Sequence, residues 1–140
     1  MRRASRLVAG LAMVVSACGT SVFSLEVGQC FNDPDLTATE ISSVETVDCA
    51  EAHDNEIFSS ILYLGGGDYP GEGAMAAYAA ENCLPEFEAF VGASYSTSVL
   101  EFTYLYPSPL SWDDGDREVL CFLYDADLAK LSGSMRGAGI

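Results

Sequence analysis

The sequence predicts an α+β fold: a small antiparallel sheet with one kinked or broken helix packed on one face, held by two disulfides. Three observations carry this. Short β-branched and aromatic runs recur between turn residues, as strands do. Over residues 72–91 the apolar positions change to steps of three and four, as in a helix with one buried face. Finally, Cys30, Cys49, Cys83 and Cys121 fall in or beside these segments and form an even set.

Taken in chain order, "LEVGQCF" (25–31) is a short strand ending in the turn-rich "NDPD". "SVETVDC" (43–49) alternates and forms a second strand, while "NEIFSSILYL" (55–64) is long, branched and aromatic, as a central strand should be. "GGGDYPGEG" (65–73) must be loop. In the helix that follows, Ala76, Ala79, Ala80, Cys83, Phe87, Phe90 and Val91 share a face, Glu72 suits the dipole of the first turn, and Gly92 is the stop. Pro85 lacks the amide for the helical ladder, which predicts a kink or a restart there. "VLEFTYLYP" (99–107) and "REVLCFLYD" (117–125) are the clearest strands, the second apolar on both faces and so interior. "SPLSWDDGD" between them reads as a turn-rich crossing. The tail "KLSGSMRGAGI" is expected to fray beyond a short piece near Leu131 to Met135.

The first residues stand apart from this domain. Arg2, Arg3 and Arg6 precede an apolar run from Leu7 to Ala17, the layout of an export signal over 1–17. That run is about 11 residues, short of the roughly 17–25 a spanning helix needs. Val15-Ser16-Ala17-Cys18 resembles a bacterial lipobox, which implies cleavage before Cys18 and a diacylglyceryl group on its sulfur. Two acyl chains anchor stably, at roughly 0.8 kcal/mol per buried CH₂. Residues 18–24 are then a lipidated cysteine and short tether, and 25–137 the domain. An uncleaved anchor and simple secretion are the alternatives; all three place the domain outside the cytoplasm.

Export decides how the sulfurs read. With Cys18 assigned to lipid, the other four lie in an oxidising compartment and pair by default. Four cysteines allow three pairings, and spacing alone does not choose. Cys30 and Cys49 flank a loop between two short strands, whereas Cys83 on the helix and Cys121 in a strand would pin helix to sheet. We therefore favour 30–49 with 83–121.

Charge excludes some functions. The chain carries 6 basic and 21 acidic residues; removing the three signal arginines leaves 3 against 21, a net charge of −18. Such a surface repels nucleic acid and anionic headgroups and suits basic partners or divalent cations, or serves solubility alone. Hydrophobic residues at 49% rule out a disordered acidic tail.

Candidate chemistry is sparse. "CAEAHDNEIF" (49–58) holds the single histidine, and Cys49, His53 and Asp54 or Asn55 supply the residue types of a cysteine nucleophile site. They crowd into seven residues, and a cysteine in a disulfide cannot act as a thiolate, so no catalytic residue is assigned. His53-Asp54 reads instead as a turn into the 55–64 strand, Asp54 or Asn55 bonding the turn backbone. One histidine and four bridged cysteines leave no zinc ligand pairs. Asp113, Asp114, Asp116 and Glu118 are hard oxygen ligands of the kind calcium takes, but their spacing is not that of an EF-hand, and an exposed acidic turn with Arg117 pairing locally or with a carboxylate elsewhere is the simpler reading. No metal or cofactor is therefore expected. Trp112 and nearby tyrosines cap the core or form a patch; if there is a binding surface, it lies around His53, Tyr69 and Trp112.

"LEVGQCF", "VDCAEAHDNEIF", "YPGEGAMAAYAAENC" and "SWDDGDREVLCFLY", followed by "LSGSMRG", together resemble the septum formation domain family, small envelope domains found mostly in actinobacteria. The resemblance runs in order from about Leu25 to Gly137. It implies a theme, septum assembly or cell division, and no chemistry. The expectation is thus a non-enzymatic, lipid-anchored accessory or interaction protein of the cell envelope, with envelope or division proteins as partners. The alternative is an extracytoplasmic binder of a small ligand or cation through acidic loops. Cys18→Ala is expected to shift the protein from the membrane to the soluble fraction; undiminished membrane attachment would contradict lipidation.

Overall fold

The computed structural model describes residues 19–34 and 41–140. Among these, six strands form one antiparallel sheet: β1 (Thr20–Ser21), β2 (Cys30–Asn32), β3 (Ser43–Val47), β4 (Asn55–Leu62), β5 (Leu100–Leu105) and β6 (Glu118–Asp125). Their spatial order is β1-β3-β2-β4-β6-β5, so β4 and β6 are interior and β5 is an edge. The 20-residue helix α1 (Glu72–Val91) packs on β4, β5 and β6. The expected fold class is observed.

The face under α1 is aromatic. Phe87 meets Phe58, Tyr95 and Phe102 at ring separations of 5.4–5.7 Å, and Met75, Ala79, Cys83, Val119, Cys121 and Leu123 fill the space around them. Tyr95 donates to the Glu101 carboxylate, and that bond, aided by burial, pushes the phenol up to about 12. In β4 the register slips between Ile57 and Ser59, so Phe58 is an extra residue in the ladder and joins the helix-side core.

Both disulfides form as favoured, Cys30–Cys49 and Cys83–Cys121. Their sequence separations of 19 and 38 correspond to about 3 and about 4 kcal/mol in a loop-closure account. Cys83 and Cys121 are wholly buried, so this bridge fastens the middle of α1 to the central sheet.

Several expectations need correction. α1 is not broken: it runs as one helix through Pro85. Pro85 lies on the exposed side, where water can serve the Glu81 carbonyl that its missing amide leaves free. Gly92 ends the helix at φ 78°, its N–H bonding the Glu88 carbonyl at 2.9 Å, a conformation few side chains tolerate. The supposed tether is part of the domain. β1 pairs with β3, and Val22 and Leu25 are buried against the reverse face of the sheet. The crossing before β6 contains a helix, α2 (Pro109–Asp113), started by a reciprocal Ser108–Ser111 capping box with Pro109 in its first turn.

Nor does the tail fray. Leu131 and His53 exchange backbone bonds, and Met135 is buried. The amides of Gly137 and Gly139 then bond the carbonyls of Phe90 and Val91, both at 2.8 Å, serving acceptors that the end of a helix leaves open. Phe87→Ala is expected to cost about 3–5 kcal/mol in urea unfolding, and Leu84→Ala on the exposed side less than about 1 kcal/mol.

Candidate functional site

The face of the sheet turned away from α1 carries the most site-like surface. Strand alternation sends Ile57 of β4, Leu105 of β5 and Leu120 and Phe122 of β6 to this side, where Phe31 and Val44 join them. A cavity of about 360 Å³ opens there, lined by Phe31, Ile41, Val44, Thr103, Leu105, Phe122 and Leu128 among others. Asp33, Asp54 and Asp125 line it too. A second cavity of about 310 Å³ shares Ile41 and Leu105 with the first and continues past Phe23 and Leu120 toward Ser108 and Glu118. Together they make an apolar strip with acidic groups beside it. Leu128 is 79% exposed and holds φ at 59°, in the left-handed region that leucine disfavours.

At one end of the strip a polar cluster joins three segments. Lys130 Nζ lies 2.7 Å from Asp54 Oδ1 and donates to Asn32 Oδ1 at 3.0 Å. Asp54 Oδ2 accepts from the Asp33 amide, and the buried Asn55 donates to Asp33 Oδ1 at 2.7 Å. Asp54 thus ties β4 to the end of β2 and to the C-terminal segment, not to its own turn as expected. Burial works against its charge, but the hydrogen bonds from Lys130 and the Asp33 amide outweigh it and hold its pKa below 3.8.

Behind this cluster lie groups the sequence did not bring together. His53 and Glu56 are both fully buried. Glu56 accepts from Ser134 Oγ at 2.5 Å and from the Met135 amide at 2.7 Å, which anchors the C-terminal segment. His53 Nδ1 bonds the Glu51 carbonyl at 2.8 Å; because a carbonyl only accepts, Nδ1 carries the proton. Nε2 is buried and has no hydrogen-bond partner among the described residues. Ligand atoms of Cys30, His53 and Glu56 lie within 4.8 Å of one another. Glu56 had no signal in the sequence beyond being the one charged residue of β4.

The other anticipated positions fall elsewhere. His53, Tyr69 and Trp112 do not form one surface, which corrects that expectation. His53 is interior, and Trp112 is buried with Nε1 donating to the Gly67 carbonyl at 3.1 Å. Tyr69 is half-buried with its ring 5.7 Å from Trp112, and burial, with Tyr106 and Glu72 nearby, raises its pKa. Arg117 pairs locally: it stacks 3.4 Å from the Trp112 ring centre and donates to the carbonyls of Trp112 and Asp116. Asp113 and Asp114 point to solvent, and Asp116 accepts from the Glu118 amide; the acidic turn does not bring three ligand atoms together. Cys49 is bonded to Cys30 and is no free thiol. Cys18 and the signal segment lie outside the described residues.

The family model for septum formation matches residues 27–138, most of the chain and all of the strands from β2 to β6. The chain belongs to the septum formation family. No curated protein and no solved structure matches it. Membership connects this septum formation domain to cell division, and with the two disulfides it is consistent with a place outside the cytoplasm. No helix among the described residues is long and apolar enough to cross a membrane.

The Asp54 network gives a signed expectation. A carboxyl whose folded pKa is lowered stabilises the fold in full above its unfolded value, and that contribution fades as pH falls through the folded value. With the Lys130 side chain 53% exposed, solvent screens the pair, so Asp54→Asn should cost about 1 kcal/mol or less at pH 7. The gap to the parent protein should narrow as pH drops below 3.8 in denaturant titrations.

Proposed function

We propose that this septum formation domain is a non-enzymatic, lipid-anchored accessory protein of the cell envelope. Its apolar strip on the reverse face of the sheet docks a segment of a division or envelope protein. The observation that carries this reading is the strip itself, two adjoining cavities along which Phe23, Ile41 and Leu128 are exposed. Exposed apolar surface of this kind marks interaction sites in soluble domains. The occupant is an extended segment mixing apolar and basic residues, because Asp33 and Asp125 stand at the strip and the chain is strongly acidic. Among the described residues β5 is paired on one side only, so an extended segment has an edge to lie along. The bridge between Cys30 and Cys49 leaves neither of these cysteines a free thiol beside the histidine, which favours a binding role over catalysis.

A second reading, a small apolar ligand in the larger cavity, is favoured by its volume of about 360 Å³, since small-molecule sites begin near about 300 Å³. A photo-crosslinking residue at Thr103, within the strip, separates these in living cells from one at Glu81 on the exposed side of α1. The docking reading expects adducts at 103 and not at 81, with Lys or Arg beside apolar residues in the crosslinked peptide. Equal capture at both positions, or none at 103, would contradict it. A small mass retained in native mass spectrometry would favour the second reading.

A further inference from the structure

The Cys30–His53–Glu56 cluster has no part in docking. His53 Nε2 is buried without a hydrogen-bond partner, and because Nδ1 gives its proton to the Glu51 carbonyl, Nε2 is the nitrogen that carries the lone pair when the ring is neutral. A buried acceptor left unpaired costs about 1–3 kcal/mol. The close neighbours of the ring nitrogens are a carboxylate and a sulfur, two groups that also offer electron pairs. Three such groups within 4.8 Å of one another can share a cation, and an imidazole held through its other nitrogen by a backbone carbonyl is the arrangement metal-binding histidines use. Cys49 is bonded directly to Cys30, so opening that bridge frees a second thiol beside the first.

We propose that Cys30, Cys49, His53 and Glu56 form a latent zinc site that opens when a dithiol reduces the Cys30–Cys49 disulfide. Two thiolates, an imidazole nitrogen and a carboxylate oxygen are a tetrahedral set suited to zinc. Cys49 is half-buried and Cys30 wholly buried, so a dithiol thiolate reaches Cys49. The Cys30–Cys49 bond breaks as a mixed disulfide forms on Cys49, and Cys30 leaves as thiolate beside His53. The second dithiol sulfur then releases Cys49, and the reagent departs as its own disulfide. Two electrons pass to the protein, and its two thiols lose their protons to water when the metal binds. Cys83–Cys121 is fully buried and stays closed under the same treatment.

The test uses the purified full chain, oxidised or treated with a mild dithiol until peptide mapping shows the 30–49 bridge open and 83–121 intact. Zinc ion alone is then added. The reduced form is expected to bind one equivalent and to melt several degrees higher with zinc, while the oxidised form is unchanged. X-ray absorption at the zinc edge should show two sulfur and two nitrogen or oxygen neighbours. Glu56→Gln and His53→Gln should each weaken binding at least about tenfold. Absence of zinc stabilisation in the reduced parent chain, or a sphere of sulfur alone, would overturn the proposal, and neither result depends on the variants folding.

Discussion

A single helix covers only part of one face of a six-stranded sheet. Six strands span about 25 Å, whereas a helix with its side chains is about 10 Å across. α1 is placed over β4, β5 and β6, and aromatic rings from Phe58, Phe87 and Phe102 make up the remaining thickness. No second long helix exists among the described residues to shield the other face. That face is nevertheless apolar, because β4 and β6 are interior strands with Ile57, Leu120 and Phe122 pointing away from α1. The segment around Val22 and Leu25 shields part of it. What is left becomes the strip on which the functional reading rests.

The remaining constraints keep this layout rigid. Cys83–Cys121 ties helix to sheet from within the core, where neither sulfur meets solvent. The C-terminal segment is held at both ends. Glu56 and the His53 backbone seize it near Leu131 to Met135, and the end of α1 receives its last amides. A charged side chain inside the sheet therefore serves as the clasp for a segment that has little apolar content of its own. The same placement leaves Cys30–Cys49 next to the histidine, in a less shielded part of the molecule.

Much of the fold was legible because its signals are local. The change of period at residue 72, the two-sided apolar run at 117–125 and the cysteine positions each specify one element without help from distant residues. What escaped notice depended on long-range contacts. "GTSVFS" is small and polar enough to read as a tether, but pairing with β3 orders it. "KLSGSMRGAGI" is rich in glycine and serine, and its order comes from acceptors on α1 and from Glu56. The extra residue at Phe58 shifts the alternation of β4, so Glu56 turns inward, which no simple count of apolar positions reveals. His53 was visible as a residue type only. Its neighbours arrive from β2, from β4 and from the far end of the chain. Pro85 announced a kink or a restart; the helix does not restart there, and which side of it faces water was not legible from the proline alone.

The central claim is that the reverse face of the sheet is occupied in the cell. Oxidative footprinting of intact cells, compared with the purified protein, reads this directly at side chains that are exposed in the isolated domain. The account predicts that Ile41 and Leu128 are protected in cells while Leu84 on α1 is modified equally in both. Equal modification of all three, or protection confined to Leu84, would contradict it.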